Sequence, residues 1–184
     1  RLYIGWIDIS HVVNERFLPL LLRCLQLPPV QLAACECVYE IVTKGMDDGA
    51  KLLLLHQLQL FALLEKVPLD DEDFAAKVAE VVNAACVELL QSFDRLEVSR
   101  SDDDARMAGL ASTMLHQALP LVWACLGHDD TDVAREVVPT VMRLLQTMKR
   151  QVADGAIACA DGAQPPPPRG AAAAPPPPSL FRAI

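Results

Sequence analysis

Between Ser10 and Arg150 apolar residues return every three or four positions and almost nowhere alternate singly with polar ones. That spacing marks helix faces rather than strands. In the first segment Val13, Phe17, Leu20, Leu21 and Cys24 form the stripe of a helix over residues 10–26, and His11, Asn14 and Glu15 fall off it. The Pro28-Pro29 pair interrupts the pattern. It resumes at Ala34, Cys37, Val38, Ile41 and Val42 and ends before Gly45, which stands where a left-handed C-terminal cap is wanted. These two helices and their turn are predicted to be the part around which the chain is arranged.

Asp47 or Asp48 is expected to cap a third helix from Lys51 to about Glu65, so rich in leucine that it must be covered on more than one side. Past Pro68 and the run Asp70-Asp71-Glu72-Asp73 lies the longest periodic segment, with Phe74, Val78, Val81, Val82, Ala85, Leu89, Phe93 and Leu96 in helical register. Asp102-Asp103-Asp104 opens a helix from Ala105 to about Leu126. The run from His128 to Asp132 opens another through Val133, Val137, Val141, Leu144 and Met148, closed by Lys149 and Arg150. Acids at helix starts and cations at helix ends complement the helix dipole. Pro139 lies inside that last helix, where a missing donor and a clash with the preceding turn predict a kink or a split.

Helix starts near residues 10, 30, 47, 70, 102 and 131 recur in pairs at roughly 40 to 60 residues, the spacing of HEAT-type repeats. The first helix would then be the second half of a pair. The predicted fold is all-α, a HEAT-type helical-repeat solenoid over residues 1–151, followed by a low-complexity Pro/Ala-rich tail over residues 152–184. That tail holds two four-proline runs and an alanine run. It cannot bury enough surface to offset its ordering entropy, so disorder with polyproline II character is expected, a proline-rich ligand segment being the functional alternative.

Composition narrows the function classes. The 184 residues are 52% hydrophobic but only 5% aromatic, which suits helices filled by Leu, Val and Ala. A net charge of -8 argues against a generic nucleic-acid binder, though a local basic patch stays open. The chain starts Arg1-Leu2-Tyr3 with no basic stretch before an apolar core, and reads as part of a larger protein. Of the six cysteines, Cys24, Cys35, Cys37, Cys86 and Cys125 sit inside apolar helical patterns and Cys159 in the tail, so free buried thiols are expected.

Candidate chemistry is thin. Cys35 and Cys37 are two apart, about 200° round a helix, and cannot share a metal. His128-Asp129 with His116 has the pairing used by metal-dependent phosphohydrolases, but His11 and His56 lie in other segments and supply no frame of further ligands, so a turn and helix cap is the better reading. The acidic runs lack the alternating oxygens and glycine of a calcium loop. The stretch from Met107 to His128 has no charged residue and is long enough to cross a membrane. His116 and Gln117 at its centre and its acidic flanks favour a helix buried between neighbours instead. With no phosphate-binding glycine loop and no nucleophile arrangement, neither an enzyme nor any cofactor, metal or small-molecule substrate is expected.

One resemblance is specific. Trp6-Ile7-Asp8-Ile9, Val13-Asn14-Glu15-Arg16-Phe17, Ala34-Cys35-Glu36-Cys37, Glu40-Ile41-Val42 and Lys44-Gly45-Met46-Asp47 resemble, in that order, the N-terminal half of the tRNA exportin family in the importin-β superfamily. The likeness is close over residues 2–51 and looser to about residue 151. It implies a superhelix of HEAT repeats that shuttles between nucleus and cytoplasm, with mature tRNA, GTP-bound Ran and nuclear pore proteins as partners. Contact with the tRNA backbone would come from the second helix of each pair, where the basic residues here are Arg16, Arg23, Lys51 and Arg106, with Lys66 just past a helix end. The rival reading is a HEAT-repeat scaffold for protein partners with no RNA role, which the acidic charge and the lack of interleaved aromatic and basic residues favour.

Overall fold

The computed structural model describes residues 14, 16–98 and 101–153. Seven α-helices and no strand are found among them: α1 (Phe17–Cys24), α2 (Gln31–Thr43), α3 (Asp48–Leu58), α4 (Leu60–Leu64), α5 (Glu72–Val98), α6 (Asp102–Leu126) and α7 (Thr131–Ala153). The tail expected over residues 152–184 lies outside the described residues except for Val152 and Ala153, which close α7.

The packing centre is α5, not the first two helices. Its longest contacts are with α6, α7 and α2, in that order, while α1 packs mainly on α2. The reason is burial: α5 is apolar on so broad an arc, from Phe74 and Ala75 through Val81 and Val82 to Leu89, Leu90 and Phe93, that it can be covered on three sides.

Polar contacts fix the directions. Asn83 of α5 meets Thr140 of α7, Asp94 meets Arg143 and Arg150, and Glu97 meets Arg150 and Gln151, so these two helices run parallel. Lys77 lies 5.9 Å from the Tyr39 ring centre, and farther along Lys51 joins the Val42 carbonyl to Glu88, so α2 is parallel to α5 as well. Asp48 bonds Ser92 while Lys51 reaches back to Glu88, which makes α3 antiparallel to α5. The long α5 and α6, three residues apart in sequence and packed together, must also be antiparallel. The described residues thus form two layers, α2, α5 and α7 against α3–α4 and α6. This is the stacked pairing of a HEAT-type solenoid, with α1 ahead of the first full pair.

Several local expectations are corrected. Asn14 Oδ1 accepts from the backbone N–H of Arg16 and Phe17, so the first described helix starts at Phe17; positions 10–13 and 15 lie outside the described residues. Its buried residues are Leu21 and the following Leu25, whereas Phe17 and Leu20 are exposed. Gly45 is not a left-handed cap: α2 ends in an extended Lys44, and its last carbonyls are taken by Lys51 instead. The leucine-rich helix starts at Asp48, with Asp47 as its cap through Gly49 and Ala50, and it breaks at Gln59, whose φ of 43° is left-handed. That break turns Leu60, Phe61 and Leu64 into the core after Leu58, which a continuous helix with leucine on every side could not do. Pro139 does not split α7. It lies on the exposed side, and the next residue, Thr140, donates its backbone N–H to Asn83 Oδ1 at 3.1 Å, so a side chain of α5 supports the ladder where proline weakens it.

Candidate nucleic-acid interface

The second-helix layer, α1, α3–α4 and α6, holds all four basic residues that the resemblance singles out. Arg16 precedes α1 and Arg23 sits in its last turn, both exposed. Arg106, in the first turns of α6, is exposed and stands 3.4 Å from Asp103. That contact is open to water and holds the guanidinium weakly. Lys66, past the end of α4, is exposed.

Lys51 is a different case. It is buried, 2% exposed, with Nζ donating to the carbonyls of Val42 and Lys44 and lying 3.6 Å from Glu88. Burial pulls its ammonium below the usual lysine value, and the Glu88 carboxylate pulls it part of the way back. A phosphate cannot reach this group. Lys51 is therefore struck from the candidate contacts and becomes the cap of α2 and the tie between α2, α3 and α5. Its identity as a lysine in a leucine run was visible in sequence; its direction was not.

Where α3 breaks into α4 against α6, His56, Gln59 and Gln117 ring a cavity of about 130 Å³ floored by Phe61 and Met114. Its polar groups sit over apolar atoms, an arrangement suited to a planar hydrogen-bonding group. Sequence reasoning missed this cavity because it depends on the left-handed Gln59. The opposite layer differs in charge. Between α2, α5 and α7 a groove of about 310 Å³ is lined by Tyr39, Asn83, Glu80, Glu88 and Glu136, which repels phosphate. On the first-helix layer Arg143 and Arg150 are engaged on Asp94, Arg150 also on Glu97, Lys77 on Glu80 and Arg135 on Asp132, Arg95 of α5 reaches Asp48, and Lys149 is exposed.

Other candidates resolve into structure. Cys35 is fully buried and Cys37 half-buried, on different sides of α2. Burial pushes the thiols of Cys35 and Cys86 up to about 12 and that of Cys125 to about 11, so none is a ready nucleophile. His128 accepts the Asp130 N–H at Nδ1 and faces the Leu69 carbonyl through Nε2, while Asp130 accepts from Asp132, so this His-Asp run braces a turn and caps α7. Among the described residues no three His, Cys, Asp or Glu side chains gather to hold a metal. The helix α6 is long and apolar enough to cross a membrane, but Ala108, Ala111, Leu115, Ala118 and Val122 are buried against its neighbours.

Known proteins converge on one family. A model described as exportin 1-like protein matches residues 1–38. Exportin-T of Dictyostelium discoideum is 30% identical over 149 residues, covering 81% of this chain and 14% of the relative. Exportin-T of Danio rerio is 30% identical over 80% of the chain and 16% of the relative, and that of Arabidopsis thaliana 30% over 81% and 15%. The chain spans about one-seventh of the length of these relatives. The family model covers the words from Trp6 to Cys37, the exportin-T relatives align over four-fifths of the chain, and the helices stack in two layers, so this chain is similar to a segment of exportin-T.

Proposed function

We propose that the chain is part of a nuclear export receptor that carries mature tRNA from nucleus to cytoplasm together with GTP-bound Ran, working by binding rather than catalysis and shuttling between the two compartments past nuclear pore proteins. The alignment with exportin-T relatives across four-fifths of the chain supports this reading. In it, Arg16, Arg23, Arg106 and Lys66 on the second-helix layer face the RNA backbone, and the acidic first-helix layer faces away. The acidic groove supports a second reading, a repeat scaffold that takes a basic protein segment and no RNA.

A filter-binding titration with tRNA separates the two. Four phosphate contacts give a salt slope of only about -3 to -4, so the chain should bind weakly at ~20 mM salt and hardly at ~150 mM. Charge reversal at Arg16, Arg23, Arg106 and Lys66 together should abolish the low-salt binding with the helical signal unchanged. Binding that is absent at ~20 mM salt, or indifferent to those changes, favours the scaffold. Tight binding that requires GTP-loaded Ran would place the whole cargo site in this segment, against so few phosphate contacts.

A further inference from the structure

The break between α3 and α4 leaves an opening in the second-helix layer. It is the cavity of about 130 Å³ with buried Leu55, Phe61 and Met114 as its floor and exposed His56, Gln59 and Gln117 at its rim. Both α3 and α4 pack on α6, so the base of the cavity is closed by this chain alone. Its volume is close to the ~150 Å³ that holds a benzene ring and well short of the ~300 Å³ at which drug-sized sites begin. The space is that of one six-membered ring.

Gln59 sets the rim. Among the described residues it is the one non-glycine residue with a positive φ, 43°. A glycine takes that conformation freely and a glutamine does not. Turning Leu60 and Phe61 into the core needs only the backbone conformation, so the turn by itself does not account for a glutamine here. Its side chain lines the cavity, and backbone strain of this kind gathers at ligand clamps.

The rim also selects among rings. Each glutamine amide both donates and accepts, and a histidine ring adds two nitrogens. A phenyl ring would match none of these groups and a phenol would match one. A nucleobase offers donors and acceptors along its edge and a flat face to Phe61 and Met114. In a duplex that edge is paired and that face is stacked, so the base must be an unpaired one. None of the lining side chains is a carboxylate. Arg106 and Gln117 stand 11 residues apart on α6, hence within about 20° of one another around it and about 16 Å apart along it, and exposed Lys66 follows α4. The acids beside these cations are Asp103 and Glu65. From this geometry we infer that the cavity receives one unpaired base of an RNA strand whose phosphates lie toward Arg106 and Lys66. The inference rests on the reading that RNA lies on the second-helix layer, and adds a base pocket to the backbone contacts.

Fluorescence anisotropy of a short labelled oligouridylate, compared with the same sugar-phosphate strand without bases, tests it on the 184-residue chain at ~20 mM salt. Contact with one base is worth at least about fivefold in affinity, so the strand with bases should bind more tightly by at least that factor. Gln59→Gly combined with Gln117→Ala should bring the ratio of the two affinities close to unity, while the urea midpoint holds or rises because glycine relieves the backbone. Arg106→Glu should weaken both strands and leave the ratio in place. Equal binding of the two strands by the wild-type chain overturns the inference and leaves the RNA reading standing, whereas binding of neither strand overturns both. A ratio indifferent to the Gln59 and Gln117 changes overturns it too. Proton resonances of the His56 ring, identified by their loss in His56→Gln, separate the remaining occupant: millimolar uridine should move them. If N-acetyltyrosinamide moves them and uridine does not, the pocket takes an aromatic side chain of a protein and the inference fails.

Discussion

Lys51 shows how one side chain can do the work of a capping motif. An α-helix leaves its last carbonyls without partners, and a glycine in left-handed conformation usually lets the backbone satisfy them. Here an ammonium from the next helix does so, bonding the carbonyls of Val42 and Lys44 while Glu88 offsets part of the charge. Replacing Lys51 with methionine keeps the stem but strands those carbonyls, and should destabilise the chain by about 2 kcal/mol in urea unfolding at neutral pH. The pH dependence has a definite sign. Since the folded value of Lys51 lies below the usual 10.5, in the window beneath 10.5 the unfolded chain holds a proton that the folded chain has begun to release. Stability then rises with pH through that window. The deficit of Lys51→Met relative to wild type should accordingly grow from about pH 8 to about pH 10; a deficit that shrinks would mean the fold favours the charged amine.

At the scale of the element, periodicity was a good guide wherever one face is buried and a poor one wherever burial is all round. The spacing of Phe74 to Phe93 located α5 almost to its ends, because each of those residues faces a neighbour. The same reasoning ran Lys51 to Glu65 into one helix, since leucine on every side gives no phase from which to read a break at Gln59. Of the basic candidates, Arg16, Arg23 and Arg106 fall off the apolar stripes and are exposed, whereas the burial of Lys51 was not legible, because its partners lie across a turn and in another helix. Pro139, from which a kink or a split is expected, does not split α7, and a contact from α5 lies beside it. Asn83 accepts from the Thr140 backbone at 3.1 Å and from its hydroxyl at 2.8 Å, just where the proline weakens the ladder. Asn83→Ala takes the Oδ1 acceptor from both Thr140 donors, leaving the hydroxyl only the Asn83 carbonyl at 3.4 Å, and should cost about 1 to 2 kcal/mol, more than a half-exposed asparagine normally would. Restoring the ladder with Pro139→Ala in the same chain should recover part of the loss. Equal losses with and without the proline would show that Asn83 supports Thr140 independently of it.

Across the whole molecule, stability should follow neighbours rather than position. In a stack of helix pairs each helix is held by those it touches, so protection is a local sum and not one global value. The helix α5 is enclosed by α6, α7 and α2, and its buried face runs from Phe74 to Phe93. By contrast α1 packs mainly on α2 and buries little beyond Leu21 and Leu25. Between them, α7 is tied to α5 by a polar seam in which Asp94 and Glu97 hold Arg143, Arg150 and Gln151. Ion pairs that are partly open to water weaken with salt, while apolar contacts do not. Amide exchange should therefore be slowest in α5 and fastest in α1, by at least about a hundredfold. Raising the salt should speed exchange in the last turns of α7 while leaving the α5–α6 contact unchanged. If α1 and α5 instead exchange together and at one rate, the two layers open as a single cooperative unit, and the nearest-neighbour account of the stack is wrong.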